Sequence, residues 1–120
     1  GHMNESRYGQ VFSDAADATM EVAGADKDYV AGGHSFFTVE TSVRYLLETH
    51  AGEAIHCETR VVLADGKKLK LAHRMLRDAD GVELATCDQF LLHVSLETRK
   101  SCPPSDKVQA ALKRLKDAHA

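Results

Sequence analysis

The first strong pattern along the chain is helical. From Tyr8 the residues of one face recur every three or four positions, which predicts a helix of about five turns. The face consists of Tyr8, Val11, Phe12, Ala15, Ala16, Thr19, Met20, Val22 and Ala23. Asn4 or Ser6 can cap the start of this helix, and Gly24 can end it in a left-handed turn.

Beyond Gly32-Gly33 the pattern changes to the alternation of a long β-strand. One face is predicted to carry Phe37, Val39, Thr41, Val43, Tyr45 and Leu47, and the other Phe36, Thr38, Glu40, Ser42 and Arg44. Three more strands are predicted over 54–64, 68–77 and 82–96, with tight turns at Asp65-Gly66 and Asp80-Gly81. A last helix is predicted over 105–119, capped by Ser105 or Asp106. This order of elements predicts an α+β meander.

Length, composition and charge narrow the class of protein. The 120 residues suit one domain covering 1–120, and 43% hydrophobic with 28% charged residues favours a globular chain without a membrane span. A net charge of −3 disfavours a nucleic-acid partner. Three cysteines without CxxC spacing predict free thiols in a reducing compartment, so the expected location is the cytoplasm.

The first three residues allow two interpretations. Gly1-His2-Met3 is either the scar of a cleaved purification tag or part of the native chain.

A set of motifs spread over nearly the whole chain points to one family. The opening segment GHMNESRYGQVF contains Gly1, His2, Asn4, Tyr8 and Phe12. Further on stand Tyr45, seven residues before Gly52-Glu53, then Asp80-Gly81, Ala85-Thr86 and Pro104. Together they resemble the hot-dog thioesterases of the 4-hydroxybenzoyl-coenzyme A type. More narrowly, GHMNESRYGQVFSDA, GGHSFFTVET and LLHV are similar to the betainyl-CoA thioesterases of carnitine catabolism, which are often fused behind L-carnitine dehydrogenase.

The resemblance implies a fold, an assembly and an activity. The fold would be hot-dog, with a curved antiparallel sheet wrapped around a long central helix and a C-terminal helix. The subunits would assemble as a homodimer, or as a higher oligomer, with the active sites between them. The activity would be hydrolysis of a short acyl-CoA thioester, preferably betainyl-CoA to betaine and CoA, with no cofactor beyond the CoA of the substrate. Two alternatives stay open: a thioesterase for another small acyl-CoA, and a noncatalytic hot-dog module for binding or dimerisation.

The resemblance also exposes a departure at the start of the chain. In the family the catalytic aspartate stands three residues before the Gly-His pair, on or just after a first strand, whereas this chain begins at that glycine. We therefore expect the first strand and the aspartate to be missing and hydrolysis to be impaired in comparison with a version extended upstream.

The start of the long helix is the expected place of catalysis. Backbone N–H groups at a helix start can hold a thioester oxygen and stabilise its developing charge. Asn4 either orients water or the substrate carbonyl, or only caps the helix, and Tyr8 either lines the site or packs in the core. The resemblance also places His2 and Glu5 among the substrate-binding residues.

Glu40 is the remaining acid of most interest on the first strand. It lies in the sequence among Phe36, Phe37, Thr38 and Thr41, on a strand expected to pass near the helix start. Glu40 can act as a general base, or it can hold a trimethylammonium group together with the phenyl rings. Alternatively, it is an exposed glutamate on the outer sheet face or a partner of Arg44.

The remaining candidates are basic residues, histidines and cysteines. Lys68, Lys70 and Arg74 either bind CoA phosphates or are solvated strand charges. His34 is expected to contact the ligand. We predict no metal site, because the histidines lack ligand spacing; His73 and His93 are expected to be hydrogen-bonded sheet residues. Cys57 and Cys87 are interpreted as small buried strand residues.

Overall fold

A computed structural model describes residues 5–50 and 52–119. The elements in chain order are α1 (Glu5–Val22), α2 (Lys27–Ala31), β1 (His34–Tyr45), β2 (Ile55–Asp65), β3 (Lys68–Arg77), β4 (Glu83–Ser95) and α3 (Asp106–His119). The four strands form one antiparallel sheet in the order β1-β4-β3-β2. No helix in this part of the chain is long and apolar enough to cross a membrane.

The sheet order corrects the predicted meander. β2, β3 and β4 are sequential neighbours joined by the two tight turns, but β1 pairs with β4 instead of β2. The physical reason lies in the connections. A tight Asp-Gly turn forces neighbouring strands to pair, whereas residues 46–54 are long enough to cross the end of the sheet.

Helix α1 forms where the periodicity predicts it. Its buried positions are Tyr8, Phe12, Ala16 and Met20, four residues apart, so they lie along one stripe against the sheet. Gly24 ends the helix with φ 89°, and the next amide, of Ala25, donates to the carbonyl of Met20. Ser6 lies inside the helix, so it is not the cap.

A β-bulge between Thr38 and Glu40 corrects the predicted faces of β1. An extra residue reverses the alternation, so the side chains before and after the bulge exchange faces. Phe36 and Thr38 are opposite His93 and Leu91 and share the inner face, which faces α1, with Thr41 and Val43. Glu40 faces outward.

The inner face of the sheet carries two apolar clusters. In one of them the first half of α1 contributes Tyr8 and Phe12, which pack against the sheet residues Met75, Leu84, Ala85 and Cys87. The second half of α1 and helix α3 share the other, which includes Met20, Leu71, Leu91, Val108 and Leu112. Because the sheet wraps one face of the helix, the helix start is held at one end of the sheet.

Helix α3 is capped as predicted, and it covers part of the β2 edge. Ser105 caps it by accepting a hydrogen bond from the amide of Val108 at 3.3 Å. The amide of Val61 on β2 donates to Nδ1 of His119 at 2.9 Å, and Gln109 donates to the carbonyl of Ala64 at 3.3 Å. These side chains satisfy edge groups that would otherwise be open to another strand.

Candidate active site

The start of α1 lies beside the end of β1. Tyr8, in the first turn described, packs its ring against Tyr45, with the ring centroids 5.0 Å apart and the planes at 87°. The first N–H groups of a helix have no partners within the helix and carry a partial positive charge. This end of the molecule therefore combines the first described turn of α1 with two tyrosines.

Tyr8 is 5% exposed and lies in an electronegative environment. Burial raises the pKa of its hydroxyl, and the nearby Tyr45, Glu48 and Glu53 raise it further, although the Thr49 amide donates a hydrogen bond to it. The hydroxyl therefore stays protonated at neutral pH, so Tyr8 can donate a hydrogen bond but is a poor base.

An ion-pair cluster fixes the loop that covers Tyr8. The Glu53 carboxylate accepts hydrogen bonds from the buried Thr49 hydroxyl at 3.0 Å and from Nε of Arg77 at 2.9 Å. Arg77 also binds Asp80 at 3.0 Å. The bonds from Thr49 and Arg77 lower the pKa of Glu53, so it remains ionised. Glu53 belongs to the motif seen in the sequence, but Arg77 is 24 residues away and no spacing pointed to it.

Glu40 does not have the neighbours that the alternation predicted. It is exposed on the outer face, opposite Phe90, and it lines a groove together with Lys70 and Asp88. The Nζ atom of Lys70 stands 5.9 Å from the centroid of the Phe90 ring. Within one subunit Glu40 is therefore not joined by Phe36, Thr38 or Thr41, and a lysine already lies over the nearest phenyl ring.

The other β1 candidates are divided between the two faces. Phe36 and His34 lie at the end of β1 far from the start of α1, where both rings pack against His93 at 5.0 and 5.6 Å. Phe37 is exposed on the outer face opposite Leu92. Thr38 and Thr41 are exposed on the inner face.

The predicted phosphate-binding residues also lie on the outer face. Lys68 and Lys70 are exposed, but Arg74 donates to Glu58 at 3.0 Å and approaches Glu83 at 3.5 Å. A groove of about 610 Å³ runs past Arg74, between charged side chains and on the side of the sheet away from α1. The charge of Arg74 is thus balanced within this face.

Three predicted site residues lie at the start of the chain. His2 and Asn4 lie outside the described residues, and so does the Gly1-His2-Met3 question. Glu5 is the first residue of α1, but its side chain is not in the described part of the structure. Their roles stay predictions.

The two inner histidines are hydrogen-bonded sheet residues, as predicted. Nδ1 of His73 accepts from the Thr59 hydroxyl at 2.7 Å, and its Nε2 donates to the Gln89 oxygen at 2.6 Å. His93 is bound by the Tyr29 hydroxyl and the carbonyl of Cys102. Burial lowers the pKa of both histidines, which favours the neutral ring.

Cys57 and Cys87 do not have the environment of a nucleophile. Burial is the main reason that the pKa of Cys87 is raised to about 11, and it also raises the pKa of the half-buried Cys57. Thiolates are scarce at such pKa values. In residues 5–50 and 52–119, no three His, Cys, Asp or Glu side chains converge as metal ligands would.

Comparison with known proteins identifies the class. Residues 1–112 match the thioesterase-like superfamily, so the chain belongs to that superfamily. Its structure superposes on a Staphylococcus aureus protein solved in complex with CoA, with a TM-score of 0.88 and 20% identity, over 99% of this chain and 75% of that one. The predicted hot-dog fold is confirmed.

Two curated relatives are more specific. Over 120 residues the chain is 52% identical to the L-carnitine dehydrogenase/betainyl-CoA thioesterase of Ruegeria pomeroyi, covering all of this chain and 24% of that protein. It is 37% identical over 120 residues to the betainyl-CoA thioesterase of Pseudomonas aeruginosa, covering 99% of this chain and 76% of that one. The chain thus spans about a quarter of the length of the first relative.

Proposed function

We propose that the chain hydrolyses a short acyl-CoA thioester and that betainyl-CoA is its preferred substrate. The observation that carries this proposal is the 37% identity to a betainyl-CoA thioesterase of which the chain covers 76%. The start of α1 supports it, because its amides and the protonated Tyr8 hydroxyl lie at one end of the sheet. The products would be betaine and CoA.

The proposed reaction needs a polarised carbonyl and an oriented water. Water adds to the thioester carbon, the carbon–sulfur bond breaks, and the CoA thiol takes up a proton. The amides at the start of α1 stabilise the charge that develops on the carbonyl oxygen. Asn4 orients the water or the carbonyl, and Tyr8 lines the site. The base is the aspartate that the family carries before its Gly-His pair.

We infer that two copies pair through β1. This strand is an edge of the sheet, and Val39 and Phe37 on it are 55% and 49% exposed. Apolar edge strands commonly pair with a second chain. Antiparallel pairing centred on Val39 would place the partner subunit's Gly33 opposite Tyr45 and the partner subunit's His34 beside it. The start of β1 would then reach the helix start across the seam.

Location and partners belong to the same proposal. The three cysteines have free thiols, which suits a reducing compartment such as the cytoplasm. No cofactor is expected beyond the CoA of the substrate. The relative from Ruegeria pomeroyi carries a dehydrogenase name as well, and we propose that this chain works beside such a domain.

Thiol release from a panel of acyl-CoA thioesters tests the function. The panel contains betainyl-, acetyl-, butyryl- and 4-hydroxybenzoyl-CoA, and it is run on the chain and on a version extended upstream by the family's aspartate segment. We expect the fastest release from betainyl-CoA and faster turnover by the extended version. Faster release from another acyl-CoA would show that betainyl-CoA is not the preferred substrate. Equal turnover by the two versions would contradict the role of the aspartate as the base. No thiol release by either version would overturn the proposed hydrolysis and favour a noncatalytic binding module.

A further inference from the structure

The trimethylammonium group of a betainyl thioester sets a specific recognition problem. It has a full positive charge but no N–H to donate, so aromatic faces and negative surroundings are its favourable contacts. The inference below rests on the proposed function, because it concerns how the same site selects its acyl group.

The described aromatic rings differ in whether a ligand can reach them near α1. Phe90 lies on the outer face beneath Lys70, and Phe36 packs edge-on against His93. Phe37 is exposed, but it also lies on the outer face. Tyr45 is 49% exposed and stands at the start of α1, against Tyr8. It is therefore the accessible ring closest to the amides that would hold the thioester.

We propose that Tyr45, oriented by Tyr8, is the binding surface for the quaternary ammonium group of the substrate. The perpendicular contact at 5.0 Å is the preferred edge-to-face geometry of two aromatic rings. Tyr8 is almost fully buried, so it fixes the orientation of Tyr45, which remains 49% exposed within one subunit. A fixed, open ring can bind a cation without first having to be ordered.

The charges around this pair have the sign that a cation requires. Burial is the main cause of the raised pKa of the Tyr8 hydroxyl, and the negative charges of Glu48 and Glu53 act on this pKa in the same direction. The guanidinium nearest to Glu53 is Arg77, which is shared between Glu53 and Asp80. Two carboxylates thus bind this one positive group. The Glu40 groove differs, because Lys70 contributes a positive charge beside Phe90.

A pair of isosteric substrates isolates the charge. Betainyl-CoA and 3,3-dimethylbutyryl-CoA have the same shape, but the second carries a neutral carbon in place of the ammonium nitrogen. We expect Tyr45→Leu to lower the betainyl to dimethylbutyryl ratio of kcat/KM by about three- to thirtyfold. Tyr45→Phe keeps the ring and should keep the ratio within about twofold. Phe90→Leu, on the outer face, is the matched control and should leave the ratio unchanged.

The outcomes separate the two proposals. Thiol release with the same ratio in Tyr45→Leu as in the wild type would overturn the cation site and leave the thioesterase standing. No release from either substrate would overturn the proposed function. In that case the site is judged by an NMR titration with free betaine and 3,3-dimethylbutyrate: betaine-specific shifts that vanish in Tyr45→Leu support it, and equal shifts from both ligands overturn it.

Discussion

The hydrogen bond from Tyr29 to His93 should contribute measurably to stability. His93 is fully buried, and its Nδ1 donates to the carbonyl of Cys102 at 2.8 Å. Its Nε2 therefore accepts from the Tyr29 hydroxyl at 2.7 Å, and the same hydroxyl oxygen accepts from the amide of Ser105 at 3.1 Å. This chain of bonds joins α2, β4 and the start of α3.

Tyr29→Phe removes the hydroxyl and leaves the ring in place, so no cavity forms. Ser105 is exposed, and water can replace its partner, but the buried nitrogen of His93 has no such replacement. Leaving a buried acceptor unpaired costs about 1–3 kcal/mol. For a domain of this size that corresponds to a loss of about 4–12 °C in Tm.

Thermal and urea unfolding of the two proteins measure this effect, and Tyr45→Phe serves as a control because it removes a hydroxyl from a half-exposed ring. We expect Tyr29→Phe to lower the urea midpoint without changing the m-value, and Tyr45→Phe to leave both nearly unchanged. A Tm for Tyr29→Phe within about 1 °C of the wild type would refute the reasoning.

Three further predictions concern pH, the core and assembly. Because burial lowers the pKa of His73 and His93, the unfolded chain binds more protons below about pH 6.5, so stability should fall on acidification by up to about 1.4 kcal/mol per pH unit for each ring. The hydrogen bond to Asp78 raises the pKa of the exposed His56, so this residue changes the stability in the opposite direction. A urea midpoint that stays constant from pH 7.5 to 5.5 would contradict this prediction. Leu112→Ala should cost about 2–5 kcal/mol in urea unfolding, since this side chain is 1% exposed; a cost near zero would mean that α3 does not pack on the core. Val39→Asp should convert dimers to monomers in light scattering, and an unchanged mass would exclude pairing through β1.

Much of the fold could be predicted from the sequence because its patterns are local. The period of α1, the alternation along β3 and the Asp-Gly turns each depend on residues close together in the chain. β3 has the predicted bounds, and the bounds of the other strands differ from the prediction by one or two residues. Helix α2 was missed because five residues are too few to show a period. Its capping residue, Asp26, was the available signal, since it accepts from the amide of Tyr29.

The misses share a nonlocal cause. The bulge in β1 shifts the alternation by one residue and leaves no mark on composition, so Glu40 was assigned to the wrong neighbours. The pairing of β1 with β4 and the contact of Glu53 with Arg77 both join distant segments. Periodicity places Tyr8 on the buried face of α1, but it cannot distinguish a core tyrosine from one that also borders a ligand. Tyr8 became a candidate site residue only through the family motif.

The central claim is that catalysis takes place at the start of α1, and the most direct measurement compares a substitution at Asn4 with one inside α1. Asn4→Ala removes the side chain proposed to orient the water or the carbonyl, whereas Gln10→Ala changes an exposed residue of α1. With betainyl-CoA at saturation, the account predicts a fall in kcat of about a hundredfold for Asn4→Ala and none for Gln10→Ala. Equal kcat values for Asn4→Ala and the unmodified chain would contradict it.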